Sequence, residues 1–184
     1  GTACPGCSRP QSTAQDCNDC KRWKAQVAEN LVSHEALFYY DEALKYWLQR
    51  YKFQGDTRFA QIMSAAIKAH VKKSPEAIIV PIPVSESSYV KRGFNQCEEL
   101  LRVADVPYEK WLENVSIEKK QSEKNRKERL QTAQPFHIHS SFEYKVPMII
   151  LFDDVYTTGR TLMHAKQLFA QAGMTNISSF SIGR

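Results

Sequence analysis

The sequence lacks an apolar run long enough to cross a lipid bilayer, and no signal peptide is recognisable in it. A membrane-spanning helix needs about 20 consecutive apolar residues, and the apolar runs here are far shorter. Internal repeats and low-complexity segments are also missing from the 184 residues. We therefore expect one ordinary globular domain with a small satellite, without membrane insertion and located in the cytoplasm.

Negative charge is also in deficit, and the excess positive charge is concentrated in one segment. The formal net charge is +5 at pH 7, which favours anionic ligands such as phosphates or nucleic acid. Residues 119–129 read KKQSEKNRKER and are rich in Lys and Arg. Two interpretations are open: this segment is a solvated loop or helix face, or it faces phosphates or a polynucleotide.

Cysteine is scarce except near the first residue, where four of the five cysteines form two C-x2-C pairs. Cys4 and Cys7 are followed, after nine residues, by Cys17 and Cys20. A short turn can aim two thiolates at one point about 2.3 Å away, so this spacing favours a structural, tetrahedral Zn²⁺ site. Two disulfides or four free thiols are the alternatives. The remaining Cys97 is interpreted as a small, partly buried apolar residue.

Apolar runs and amphipathic segments alternate along the rest of the chain. Residues 77–80 and 148–152 are short apolar runs, which are typical of buried parallel strands, and residues 177–182 are predicted to form another strand. The segment between residues 152 and 177 has the spacing of a helix, so the order strand, loop, helix, strand predicts a βαβ unit. Within residues 34–53 apolar residues also recur at helical spacing, at Leu44, Trp47, Leu48 and Tyr51, and predict an amphipathic helix packed on the core. Stacking of its aromatic residues on nucleic-acid bases is the alternative.

Shorter elements complete the predicted α/β fold, a parallel sheet flanked by helices. Helices are expected near residues 59–72 and 96–104. A helix or a strand pair is expected at residues 108–115, and a turn at residues 81–87. Residues 119–134 have no periodic apolar face and are predicted to form a loop, with or without a short helix.

The stretch LFDDVYTTGRTL, residues 151–162, places two adjacent acids at the end of an apolar run. Ligands of open α/β sheets bind beyond the carboxyl ends of the strands, where Asp153 and Asp154 are expected. The turn that follows offers hydroxyl groups and the N–H groups of a helix N-terminus, which bind anions. A phosphorylated sugar needs both parts, acceptors for its hydroxyls and donors for its phosphate. The alternative is an ordinary capped strand–helix turn.

Four stretches of the sequence resemble a known family. MIILFDDVYTTGRTL, residues 148–162, resembles the motif of type I phosphoribosyltransferases that binds 5-phosphoribosyl 1-pyrophosphate (PRPP). With RYKFQGD at 50–56, VPIPVS at 80–85, RGFNQ at 92–96 and the cysteine pairs, nearly the whole chain resembles the ComF/ComFC competence protein family.

The resemblance implies a fold, ligands and a biological role. It implies a type I phosphoribosyltransferase-like domain at residues 27–184 behind a zinc finger at residues 1–26, with structural Zn²⁺ and with Mg²⁺ bound together with PRPP. It also implies a part in DNA uptake during natural transformation. The family's usual partner is the ComFA helicase-like ATPase.

The same resemblance assigns roles to individual residues. Asp153 and Asp154 are expected to hold the ribose hydroxyls, and with Arg129 they are the predicted catalytic residues. Arg129 and Gln121 match a mobile-loop pattern. The turn of Pro83, Val84 and Ser85 takes the place of the pyrophosphate loop. The 5′-phosphate is assigned to Thr157, Thr158, Gly159, Arg160 and Thr161.

Two positions depart from the family pattern, and three functions are open. Thr132 stands where Asn is common, and Arg160, where a small residue is common, either contacts phosphate or faces solvent.

An enzyme would displace pyrophosphate from PRPP with a nitrogen nucleophile, helped by basic residues such as Lys91, Arg92, Lys124 and Arg126. A non-catalytic module would instead bind PRPP and single-stranded DNA. An adaptor would dock its zinc finger on ComFA.

Overall fold

A four-stranded parallel sheet with helices packed on its faces forms the centre of the molecule. The computed structural model describes residues 2–53, 56–116 and 134–184. The helices are α1 (Asn18–Lys24), α2 (Glu42–Phe53), α3 (Ala60–Val71), α4 (Glu86–Arg92), α5 (Gln96–Val103) and α6 (Arg160–Gln171). The strands are β1 (Glu35–Phe38), β2 (Ile78–Pro81), β3 (Leu112–Asn114), β4 (Phe136–Ile138), β5 (Ile149–Val155) and β6 (Ile177–Gly183).

The central strand β5 divides the core into two halves. The sheet order is β1-β6-β5-β2 with all neighbours parallel, and β3 pairs with β4 in a separate antiparallel ladder. Successive side chains of a strand point to opposite faces. Ile149 and Leu151 therefore pack in one apolar cluster with α6 and the four N-terminal cysteines. Ile150 and Phe152 pack in the other, with α2, α3 and α5. The predicted α/β class is confirmed.

The segment 34–53 contains a strand that no sequence pattern predicted. The four predicted stripe residues of α2 are all buried, so that helix is confirmed. Before it, however, β1 pairs with β6 at the edge of the sheet. This strand has four residues, and both of its ends are exposed. Its apolar residues Ala36, Leu37 and Phe38 lead directly into the segment of α2, so the sequence does not set them apart as a strand.

The region after β2 also differs from its prediction. Residues predicted to turn between 81 and 87 lead directly into the helix α4, none of whose residues is buried. The helix predicted at 96–104 is confirmed as α5. For 108–115 the strand-pair alternative is correct, because β3 pairs with β4. The segment 117–133 lies outside the described residues. Among the described residues, no helix has both the length and the apolar character needed to cross a membrane.

His34 is buried against β6, just before β1. Its Nδ1 lies 2.9 Å from the Ser179 hydroxyl and its Nε2 lies 2.9 Å from the Ser181 hydroxyl. Burial lowers the pKa of His34 well below its usual value, and the charges of Lys166 and Arg184 act in the same direction. The ring is therefore neutral, donating to one hydroxyl and accepting from the other.

The free energy of unfolding is expected to fall as the pH drops below about 6.5. The unfolded chain then binds a proton at His34 and the native chain does not, which costs up to about 1.4 kcal/mol per pH unit. Burial also lowers the pKa values of His70 and His164, which add to the slope. The free energy of unfolding, measured with urea at pH values between 7.5 and 5, should change less steeply with pH in His34→Gln than in the wild type. The control is His137→Gln on the exposed face of β4, and equal slopes for both variants would contradict the prediction.

Candidate functional site

Asp153 and Asp154 lie at the carboxyl end of β5, where the backbone fixes both carboxylates. Asp153 Oδ1 accepts a hydrogen bond from the Asp154 N–H at 2.8 Å. Asp154 Oδ1 accepts one from the Val155 N–H at 2.8 Å. Asp154 is only 4% exposed, whereas Asp153 is partly exposed. Each carboxylate thus has one oxygen held by the backbone and a second that can reach another partner.

The second oxygen of Asp154 forms an ion pair with Lys52 of α2. The Lys52 side chain is 19% exposed, so the pair is largely shielded from water. Lys52 belongs to the stretch RYKFQGD, but the sequence motifs assign it no individual role. A signal was present, because Lys52 follows Leu48 by four residues and so lies on the buried face of α2.

Cys97 of α5 contacts Asp153 of the acidic pair. It is fully buried, and its Sγ lies 3.8 Å from Asp153 Oδ1. Burial raises the pKa of Asp153, and the neighbouring charge of Asp154 raises it further. Burial and both acids also raise the pKa of Cys97. Cys97 is therefore a protonated thiol that donates to Asp153. This corrects the prediction of a partly buried apolar residue, because Cys97 is fully buried and has a polar partner.

The loop between β5 and α6 has the geometry of an anion site. Thr157 and Thr158 are exposed, and the Arg160 N–H lies 3.5 Å from Thr158 Oγ1. Gly159 precedes α6 with φ +81°, a conformation that favours glycine. Because α6 is a 12-residue helix, its N-terminal end carries partial positive charge. One cleft brings together five of the ten residues assigned to PRPP, namely Asp153, Thr157, Gly159, Arg160 and Thr161.

The turn of Pro83, Val84 and Ser85 lies at the same edge of the sheet. The Ile82 N–H donates to the Phe152 carbonyl at 2.9 Å, so this turn begins beside the end of β5. The Ser85 hydroxyl caps α4 by accepting from the N–H of Ser88. Among the described residues the turn does not line the cleft of the phosphate loop. Its assignment to pyrophosphate stays a prediction.

The basic residues assigned to the reaction are only partly described. Arg92 donates to Gln96 Oε1 at 2.5 Å, and Lys91 lines a separate cleft with Asn114. Arg160, on the phosphate loop, is exposed. The residues of the predicted mobile loop lie outside the described ranges, namely Gln121, Lys124, Arg126, Arg129 and Thr132.

The four N-terminal cysteines form a cluster that can hold a metal ion such as zinc. Their Sγ atoms all lie within 4.8 Å of one another, and all four residues are buried. The Sγ atoms of Cys4 and Cys20 lie 3.6 Å apart, as do those of Cys7 and Cys17, so neither pair forms a disulfide. Four thiolates about 2.3 Å from one metal ion would lie about 3.8 Å apart, which fits this cluster. Gly6 is required here, because a Cβ on it would lie 2.8 Å from Cys20 Sγ.

Comparison with known proteins decides the family. No protein-family model matches the chain. Competence protein ComFC from Streptococcus pneumoniae strain R6 is 38% identical over 182 residues, which cover 98% of this chain and 80% of that protein. The chain belongs to the ComFC family. ComFC from Bacillus subtilis strain 168 is 33% identical over 190 residues, 100% of this chain and 78% of that protein. Competence protein F from Haemophilus influenzae strain Rd is 28% identical over 207 residues, which cover 98% of this chain and 90% of that protein.

Membership of the ComFC family confirms the resemblance drawn from the four sequence motifs and the cysteine pairs. The structure places Asp153 beside the phosphate loop, as the sequence predicts. Asp154 is turned toward Lys52 instead. The roles of these ComFC residues toward PRPP stay predictions.

Gly159→Ala is expected to destabilise this ComFC chain by more than about 3 kcal/mol. A Cβ at Gly159 would lie 2.2 Å from Tyr156 Oη, in addition to the strain of a positive φ. Gly93→Ala is a matched control, because Gly93 has the same φ of +81° but no atom within 4 Å of its Cβ position. We expect the control to cost only about 1 kcal/mol. Urea unfolding of both variants measures the difference, and equal losses would show that the Tyr156 contact is unimportant.

Proposed function

We propose that this ComFC-family chain binds PRPP at the carboxyl end of β5 and acts in DNA uptake during natural transformation. One observation carries the proposal. The Asp153 carboxylate, which accepts a hydrogen bond from the neighbouring backbone N–H, lies in the same cleft as Gly159 and the N-terminal end of α6. This pairing matches a ligand with both hydroxyl groups and a phosphate, which is the chemistry of a phosphorylated ribose.

The residues of the cleft divide the work of binding. Asp153, in the cleft, would accept a hydrogen bond from one ribose hydroxyl, and Asp154, which is buried beside Lys52, would accept one from the other by turning from that ion pair. Thr157, Thr158 and the end of α6 would bind the 5′-phosphate. Mg²⁺ bound to the diphosphate oxygens, with few protein ligands, would neutralise part of the charge of PRPP.

An enzymatic role would add one bond exchange. A nitrogen nucleophile would form a bond to C1 of the ribose, while the bond from C1 to the pyrophosphate oxygen breaks and pyrophosphate leaves with the electron pair. Basic residues such as Lys124 and Arg126 would stabilise the departing charge, since Lys91 lines a separate cleft and Arg92 is bonded to Gln96. We further propose that the metal ion at the four cysteines is zinc, in a closed site with a structural role.

Calorimetric titration with PRPP in Mg²⁺ tests the proposal. PRPP is expected to bind, ribose 5-phosphate to bind more weakly because it lacks the diphosphate, and ribose alone not to bind. The absence of heat for PRPP would reject the proposed site. Pyrophosphate release with a panel of nitrogen acceptors then separates turnover from binding alone.

A non-catalytic role in binding single-stranded DNA is favoured by the basic segment at residues 119–129, whereas an adaptor role would use the zinc finger. Replacing Lys124, Arg126, Lys127 and Arg129 by Gln should flatten the salt dependence of single-stranded DNA binding, by about 0.7 in the logarithmic slope for each phosphate that these side chains neutralise. The control removes the same charge elsewhere, at the exposed residues Lys21, Lys68, Lys72 and Lys145. An unchanged slope would leave the segment as solvated surface. Co-purification with ComFA, abolished by Cys→Ser substitution in the zinc finger, would favour the adaptor.

A further inference from the structure

The indole of Trp23 joins the cysteine cluster to the phosphate loop. Trp23 belongs to α1 and follows Cys20 by three residues. Its Nε1–H donates a hydrogen bond to the Thr158 carbonyl oxygen at 2.8 Å. The same nitrogen lies 3.2 Å from the position that a Cβ on Gly159 would occupy. The indole thus covers the backbone at the point where the loop turns into α6.

This contact sets the orientation of one peptide unit. A trans peptide is planar, with its C=O and N–H pointing in opposite directions. Holding the Thr158 carbonyl toward Trp23 therefore directs the Gly159 N–H away from α1. Within the described part of the chain, the N–H of Gly159 donates to no other residue. It is one of the donors that a helix N-terminus offers to an anion.

Arg184 makes a second connection between the same two regions. Its Nη1 donates to the Thr157 carbonyl at 2.6 Å, and its Nη2 lies 3.8 Å from Cys17 Sγ. Its guanidinium also pairs with Asp19 of α1 at 3.6 Å and lies 4.3 Å from the centre of the Tyr156 ring. Two successive carbonyl groups of the loop are therefore held from the side of the cysteine cluster.

The cysteine cluster in turn determines where α1 lies. Cys17 is the N-cap of α1 and Cys20 lies within it, so two of the four thiols belong to this short helix. A metal ion bound by all four thiolates would fix α1 at two points. A seven-residue helix has little stability of its own. Metal binding would therefore fix the position of Trp23.

We propose that Trp23 is a positioning residue for the phosphate loop, and that the four-cysteine module supports the loop through it. The module then belongs to the ligand site as well as to the fold. This inference rests on the proposed binding of a 5′-phosphate at the loop. It adds that metal binding by the cysteines presets the loop before any ligand arrives.

Trp23→Phe tests the proposal, with Trp47→Phe as the matched control. Trp47 makes the same kind of bond elsewhere, from its Nε1–H to the Phe59 carbonyl at 2.8 Å. In the protein without ligand, ¹⁵N relaxation should give loop order parameters near 0.85 for the wild type and the control. In Trp23→Phe, residues 157–161 should fall below about 0.6. Unchanged order parameters in Trp23→Phe, or the same decrease in the control, would overturn the proposal.

Ligand affinity supplies the second readout. Trp23→Phe should weaken binding of ribose 5-phosphate and of PRPP by about the same factor, roughly tenfold, because both ligands carry the 5′-phosphate. Trp47→Phe should leave both affinities unchanged, even if it lowers stability. A decrease in the control as large as that in Trp23→Phe would contradict the role of Trp23. If the wild type binds neither ligand, the proposed function fails, while the order parameters still decide whether Trp23 orders the loop.

Discussion

Replacing Asp153 and Asp154 together by Asn is expected to weaken PRPP binding at least 100-fold. A hydrogen bond to a charged group contributes about 1.5–3 kcal/mol, and each 1.4 kcal/mol changes affinity about tenfold. The two carboxylates are expected to accept one ribose hydroxyl each. Asn keeps the oxygen that accepts the backbone N–H at each position, so the end of β5 should retain its shape.

Two measurements separate a defect in binding from a defect in folding in this variant. Removing the charge of Asp154 leaves Lys52 without its carboxylate, so some loss of stability is expected. Circular dichroism and urea unfolding should still show a folded chain at the temperature of the titration. The control Glu76→Gln with Asp105→Asn removes two charges from exposed positions, and it should bind PRPP as the wild type does. Wild-type affinity in the Asp153/Asp154 variant would reject the assignment of both acids.

Removal of the metal ion is expected to unfold residues 2–24 first and to destabilise the remaining chain by several kcal/mol. A structural metal ion contributes its binding free energy directly to folding. The four cysteines share an apolar cluster with Leu151 of β5 and Leu162 of α6. Loss of the metal ion therefore also removes packing from one face of the sheet.

Metal content and unfolding together check this expectation. The wild type should carry about one zinc ion per chain, and Cys17→Ser with Cys20→Ser should carry almost none. Cys97→Ala is the control, because Cys97 is buried in the other half of the core and should not affect zinc content. A wild-type chain purified without any metal ion at this site, yet stable to chelators, would contradict the metal assignment.

The sequence predicts best those parts whose apolar pattern is strong. β5 and the turn into α6 follow from a continuous apolar run and the two acids after it, and α2 follows from its buried stripe. β1 was missed because its short apolar run, Ala36 to Phe38, leads directly into the helical pattern of α2. α4 was missed because it has no buried face.

The contacts that complete the site depend on the tertiary fold. The sequence placed Asp153 and the phosphate loop together because they are neighbours in one motif. It could not pair Lys52 with Asp154, because that pairing depends on how α2 packs against the sheet. Nor could it bring Trp23 to Thr158, because no pattern of residue types encodes a bond between an indole and a distant backbone carbonyl.

The hydrogen bond between Trp23 and Thr158 can form only late in synthesis of the chain. The two residues are 135 positions apart, so at about 5–20 residues per second the indole waits roughly 7 to 27 s for its partner to be synthesised. During that interval the cysteine pairs have emerged, but the sheet face that covers them has not been made. A metal ion bound by the nascent chain at this stage would be held by the two C-x2-C pairs alone, and the packing of β5 and α6 against the cysteines would follow later.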